Sequence, residues 1–350
     1  MARPPLHRLY LSLPHAVPLV TRLAICVVVA VGLAGCLGDA PHSNPLDPLS
    51  DAPVTAGEVS GRVTGIYPPF DGRGGVRVRV MPQGGGTERV TTTATDGTFT
   101  LDGIPGGRIL VVAEADGLAE ASVETDVVAG STSEVLLQLN ALPVVTAQAA
   151  RTVHIERWFP DVPVFRLEVE AGVTDPDRSS DVDAVALVVE SLGFRAPLTE
   201  VGPGSYEAAL DAAALPGGQV QSLLGQALRI EVTDVAGAVA LGPPLALVRV
   251  IEQTPLTASP QGLVTLAANP PVLEWRPAAL PFAFTYRADV FLIDGAGIPN
   301  LIQSADGLSP ATTTLPLAAA LAPGDYYWTI WVTDAAGNRS RSKEAGFRVP

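Results

Sequence analysis

Four aspartates, Asp175, Asp177, Asp181 and Asp183, form the densest acid set in the chain. Alternating carboxylates in a loop offer the hard oxygen ligands that Ca2+ takes. The spacing is not that of an EF-hand, since no Gly falls at the sixth position and no Glu at the twelfth. Loop aspartates also cap turns and keep strand edges solvated, so a calcium site and a solvated turn both stand. A second set is aromatic: Tyr326, Tyr327, Trp328 and Trp331. On a strand, Tyr326 and Trp328 point to one face, Tyr327 and Trp331 to the other. One pair is core. The outward pair, Tyr327 and Trp331, can stack on sugars or peptides, or pack against a neighbouring module or loop.

Other chemistry is sparse. Beyond the first 35 residues the only histidines are His42 and His154. His154 sits in Val153-His154-Ile155 and reads as a partly exposed strand residue. One folded histidine cannot build a two-His metal centre, and a serine triad would rest on it alone. There is no Gly-x-Ser-x-Gly elbow and no phosphate-binding Gly-Lys-Ser/Thr loop. Two cysteines rule out a disulfide scaffold or a Cys-based zinc site. The net charge is −14 and Lys343 is the only lysine. Phosphate neutralisation needs clustered Lys and Arg, so nucleic acid is not a partner.

The N-terminal segment sets the compartment. Arg3, Arg8 and Arg22 precede an apolar run, Leu23 to Ala34, of 12 residues. That is short of the roughly 20 needed to span a bilayer and fits the apolar region of a secretory signal. Pro4, Pro5, Pro14 and Pro18 lengthen the basic part, which points to a translation start downstream of Met1. The run ends in Leu33-Ala34-Gly35-Cys36, which resembles the lipobox of bacterial lipoproteins. That resemblance implies cleavage before Cys36 and attachment of diacylglycerol to its thiol. It leaves 19 basic and 36 acidic residues, a net charge of −17. Leu37 follows where, in the enterobacterial sorting rule, Asp retains a lipoprotein in the inner membrane. Leu37 therefore favours the outer membrane in a Gram-negative source.

Residues 36–56 hold Pro41, Pro45, Pro48 and Pro53 among polar residues and read as a lipidated tether. Beyond them, Gly and Pro interrupt short apolar runs every ten or so residues, the signal of an all-β chain of tandem β-sandwich domains. The first spans 57–141. Gly75-Val76-Arg77-Val78-Arg79-Val80 alternates, with Val inward, and Asp96-Gly97 reads as a tight hairpin turn. Gly61-Arg62-Val63, Thr95-Asp96-Gly97-Thr98-Phe99, Leu101 to Gly107 and Ala115-Asp116-Gly117 resemble the carboxypeptidase regulatory-like domain. That family implies a small transthyretin-like sandwich with no catalytic residues of its own. Residues 142–252, with alternation from Phe165 to Val173 and from Val185 to Val189, resemble an immunoglobulin-like domain. In 253–350, Val272 to Pro277 and Leu321 to Val332 resemble the Trp-bearing early strand and the late Tyr-corner strand of a fibronectin type III domain, with Trp275, Trp328, Ile330 and Val332 as core. Val232 to Gly237 and Val332 to Gly337 share one phrase, read as the same strand-to-turn corner in two sandwiches.

These modules occupy the chain and normally serve as accessories. The expectation is a non-enzymatic lipoprotein of the bacterial cell envelope, held to the membrane by its lipid and presenting β-sandwiches to a protein or glycan. No cofactor is expected beyond the calcium reading of the aspartate loop. The alternatives are an accessory subunit of an envelope export or polysaccharide-processing complex and, less favoured, a carboxylate-based glycosidase. Cys36→Ser should give an unlipidated, incompletely processed precursor in a fatty-acid labelling experiment; normal labelling would remove the lipoprotein reading.

Overall fold

Runs in which Val alternates with Arg, Thr or Glu can bury one face only as strands, and the chain folds accordingly. The computed structural model describes residues 54–350 together with Asn44, Asp47 and Ser50. Cys36 and most of the 36–56 tether lie outside the described residues.

The first sandwich contains β1 (Ala56–Gly65), β2 (Arg77–Pro82), β3 (Arg89–Thr92), β4 (Thr98–Pro105), β5 (Gly107–Glu114), β6 (Ala121–Val127) and β7 (Thr132–Leu139). Its sheets run β4-β1-β7 and β3-β2-β5-β6. Val59, Val63, Val78, Val80, Ile109 and Leu137 close the core between them. β1 and β7 pair in parallel, from Glu58 on Thr132 to Gly65 on Leu139. The Asp96-Gly97 turn is tight, with the Ala94 amide donating to the Thr98 carbonyl at 2.8 Å. It is not a hairpin, because β3 pairs with β2 and β4 with β1, so the turn carries the chain between sheets. Gly97 is required there: its φ is +83°, and a Cβ would lie 2.3 Å from the Val63 carbonyl.

The second sandwich contains β8 (Val144–Ile155), β9 (Val164–Thr174), β10 (Val182–Val189), β11 (Phe194–Pro197), β12 (Thr199–Gly202), β13 (Ser205–Asp211), β14 (Arg229–Asp234) and β15 (Val239–Leu241). Leu167, Val169, Val185, Leu187, Ile230 and Val232 fill its core. The third contains β16 (Leu256–Ser259), β17 (Val264–Thr265), β18 (Val272–Arg276), β19 (Phe284–Ile293), β20 (Pro299–Leu308), β21 (Thr314–Pro316), β22 (Gly324–Asp334), β23 (Arg339–Arg341) and β24 (Ala345–Val349). Trp275, Tyr286, Trp328, Ile330, Val332 and Phe347 form its core. The Tyr326 hydroxyl donates to the Ala322 carbonyl at 2.7 Å, the bond that defines a Tyr corner.

The second and third sandwiches share a sheet. β23 pairs in parallel with the end of β8, Arg339 to Arg341 on Val153 to Ile155, giving one ten-stranded sheet. This corrects the reading of His154 as partly exposed. β8 is flanked on both sides, so the imidazole is buried, stacked on Phe165 at 4.2 Å with Nδ1 3.2 Å from the Ile251 carbonyl.

Trp275 is 3% exposed and meets Tyr286 edge-on at 5.6 Å. Trp275→Ala should cost about 3–5 kcal/mol, read as a lowered melting temperature of the whole chain in a thermal melt.

Candidate functional site

The fused sheet creates an outer-face groove of about 720 Å3 whose walls come from two modules. Arg151 on β8 belongs to the second sandwich; Arg287 and Asp289 on β19, Trp331 on β22 and Arg339 on β23 belong to the third. Period two places Trp331 on the face opposite Trp328, and cross-strand register sets it against Arg287 and Arg341. Trp331 is half-buried and carries the Arg339 guanidinium 5.1 Å from its ring centre.

The groove's cations are matched on the protein. Arg339 reaches both oxygens of Glu168 at 2.9 Å, and Arg151 Nε meets the same carboxylate at 2.7 Å while its other arm holds Glu170. Arg287 pairs with Asp289 at 2.9 Å, and Ser304 Oγ donates to that aspartate at 2.7 Å. Burial alone would raise the Glu168 carboxyl. The bonds and charges of Arg151 and Arg339 outweigh it and hold the group below the ordinary glutamate value.

Tyr327 shares the outward phase with Trp331 but not its groove. It is half-buried, stacked on Phe291 at 4.8 Å, and lines a separate hollow with Trp158 and Leu263. Trp158 was not singled out by the sequence reading. It is 63% exposed, its Nε1 donates to the Glu344 carbonyl at 2.6 Å, and Lys343 lies over its ring. Phe159 beside it is 91% exposed. The signal available was Arg157-Trp158-Phe159-Pro160, large aromatics in a turn where no core demands them.

The aspartate loop is divided by the structure. Asp175 and Asp181 are buried and come together with Asp234, ligand-capable oxygens of the three lying within 4.8 Å of one another. Asp177 does not join them: Arg73 holds one of its oxygens at 3.0 Å, and the Ala141 amide donates to the other at 2.8 Å. Asp183 is exposed on β10, one step out of phase. The four-aspartate set read from the loop is therefore corrected to Asp175, Asp181 and Asp234. Asp234 arrives because the β10–β14 ladder sets it beside Val182. Burial pushes the Asp175 carboxyl up, and the charges of Asp181, Asp177 and Asp234 add to the push.

Residues 58–140 match the carboxypeptidase regulatory-like domain family. No curated protein matches the chain. Among solved structures it is similar to the major pilin subunit BcpA of Bacillus cereus, at 10% identity over 81% of this chain and 91% of that one, TM-score 0.30. It is similar also to chicken CNTN1 FN1-FN3 domains (10% identity, 80% and 93% covered, TM-score 0.31). A third is the fibronectin(III)-like modules of CbhA from Clostridium thermocellum (14% identity, 59% and 92% covered, TM-score 0.28). At these scores the likenesses carry no argument about what the chain does.

Glu168 ionises more readily folded than unfolded. Its contribution is full above the unfolded glutamate value of about 4.3 and is lost as pH falls through the lower folded value. Glu168→Gln should cost roughly 1–3 kcal/mol near neutral pH and little near pH ~2, as read by denaturant titration at both.

Proposed function

We propose that the chain is an exported protein of the bacterial cell envelope, lipid-anchored through Cys36 in the outer membrane, whose sandwiches present a glycan-binding surface and which performs no catalysis. The observation that carries the binding reading is the Trp331 groove. It offers an indole beside Arg151, Arg287 and Arg339, whose charges are already paired with carboxylates. Charge-matched polar walls with an aromatic edge suit a hydroxyl-rich neutral ligand better than a polyanion. The absence of catalysis is supported by the same geometry. A glycosidase acid needs a carboxyl raised toward neutrality, whereas Glu168 beside the groove is held down by Arg151 and Arg339.

The accessory-subunit reading is favoured by a different observation, the exposed Trp158, Phe159 and Leu263, a pattern suited to an apolar protein contact.

In a glycan array, the whole chain should bind neutral glycans without releasing reducing ends. Trp331→Ala should abolish that binding while lowering stability by about 1–2 kcal/mol, the scale of partly buried cation–π contacts such as those with Arg339 and Arg341. An empty array, together with a cross-linked envelope protein that Phe159→Ala releases, would replace the glycan reading by the accessory one.

A further inference from the structure

Where the first and second sandwiches meet, several buried polar atoms lie close together. Asp175 and Asp181 each keep an oxygen, Oδ2, that is buried and accepts no hydrogen bond from the protein. Asp234 Oδ1 accepts the Ala238 amide at 2.7 Å and its Oδ2 accepts Asn140 Nδ2 at 2.5 Å. Asn140, at the exit of β7, is itself only 7% exposed, and its own carbonyl Oδ1 has no partner. A buried amide with an orphaned carbonyl, beside buried carboxylates with orphaned oxygens, carries a desolvation cost that nothing among the described residues offsets.

The charges tell the same story. Four carboxyl groups, Asp175, Asp177, Asp181 and Asp234, meet at this corner, and among the described residues only two of them have a guanidinium partner, Asp177 with Arg73 and Asp181 with Arg178. Asp175 and Asp234 are left without a cationic partner there. The corresponding corner of the third sandwich provides an internal comparison, because Asp334 holds the same place in the shared phrase as Asp234. There the chain supplies the cation itself: Arg249 Nε lies 3.2 Å from Asp334 Oδ2, and Asn338 donates to the same oxygen at 3.1 Å. Among the described residues Asp234 has the asparagine but no arginine, and it has two further carboxylates beside it.

We propose that Asp175, Asp181, Asp234 and the Asn140 carbonyl bind one Ca2+ that ties the first sandwich to the second. The span of up to 4.8 Å between the carboxylate oxygens is that across a cation holding oxygens at about 2.4 Å. A half-turn of the Asn140 amide exchanges Nδ2 for Oδ1 toward the site, and the two orientations have the same shape. An all-oxygen set of carboxylates and an amide carbonyl suits calcium; zinc would call for nitrogen or sulfur. Because Asn140 belongs to the first sandwich and the three aspartates to the second, the ion bridges the joint beside the existing clamps, Tyr67 on Asp181 and Arg73 on Asp177. This site is independent of the Trp331 groove.

The test is calorimetric titration of CaCl2 into the whole chain after chelator treatment, with thermal melts in Ca2+, Mg2+ and EDTA. One Ca2+ per chain should bind, with a rise in melting temperature that Mg2+ at equal concentration does not match. Asp175→Asn and Asn140→Ala should each weaken Ca2+ binding at least tenfold with unchanged far-ultraviolet dichroism, and Asp183→Asn should bind as the parent does. Should Asp175→Asn not fold, Asn140→Ala, which alters no charge, carries the comparison. Absence of binding heat at millimolar Ca2+ with superimposable melts, an equal response to Mg2+, or undiminished binding by Asn140→Ala would overturn the proposal.

Discussion

Three residue pairs, Arg339 to Arg341 against Val153 to Ile155, hold the second and third sandwiches in one sheet. The ladder is short, and its persistence depends on how completely its surroundings are satisfied. Asn338 Oδ1 accepts both the Thr152 amide and the Thr152 hydroxyl, and Ser340 Oγ donates to the Gln253 carbonyl at 2.8 Å. Each such bond spares a buried polar group its desolvation cost. Arg339 then reaches Glu168 across the module boundary, and Arg151 lines the groove with Trp331. The groove is a product of the joint; neither sandwich alone has both walls.

The two joints along the chain are built by different means. The one between the second and third sandwiches continues the backbone ladder from one module into the other. The one between the first and second relies on side chains, Tyr67 and Arg73 reaching out from the loop after β1 and Asn140 from the end of β7. The first kind fixes direction through repeated backbone bonds. The second depends on how charges at a single corner are compensated.

Much of this was legible in order along the chain. The Val-Arg alternation of β2, the half-buried β9 and the Trp275 core position follow from period two, because each depends on neighbours close in sequence. What could not be read depended on distant partners. Asp234 joins Asp175 only through the β10–β14 ladder, and nothing in either segment announces the other. Asp177 looked like a ligand until Arg73, more than a hundred residues earlier, took it. His154 looked half-exposed because a strand's second neighbour is invisible until β23 arrives. The Asp96-Gly97 turn signal was sound, but turn chemistry specifies a reversal and not which sheet receives the next strand.

The parallel pairing of β1 with β7 has a mechanical consequence. These are the entry and exit strands of the first sandwich, side by side and running the same way. Tension between Ala56 and Leu139 therefore draws them along their axes in opposite senses. The evenly spaced bonds between residues 58–65 and 132–139 share that load together, whereas a terminal hairpin would yield one rung at a time. Pulled from its two ends, the module is loaded in shear, the direction in which a strand pair gives way last.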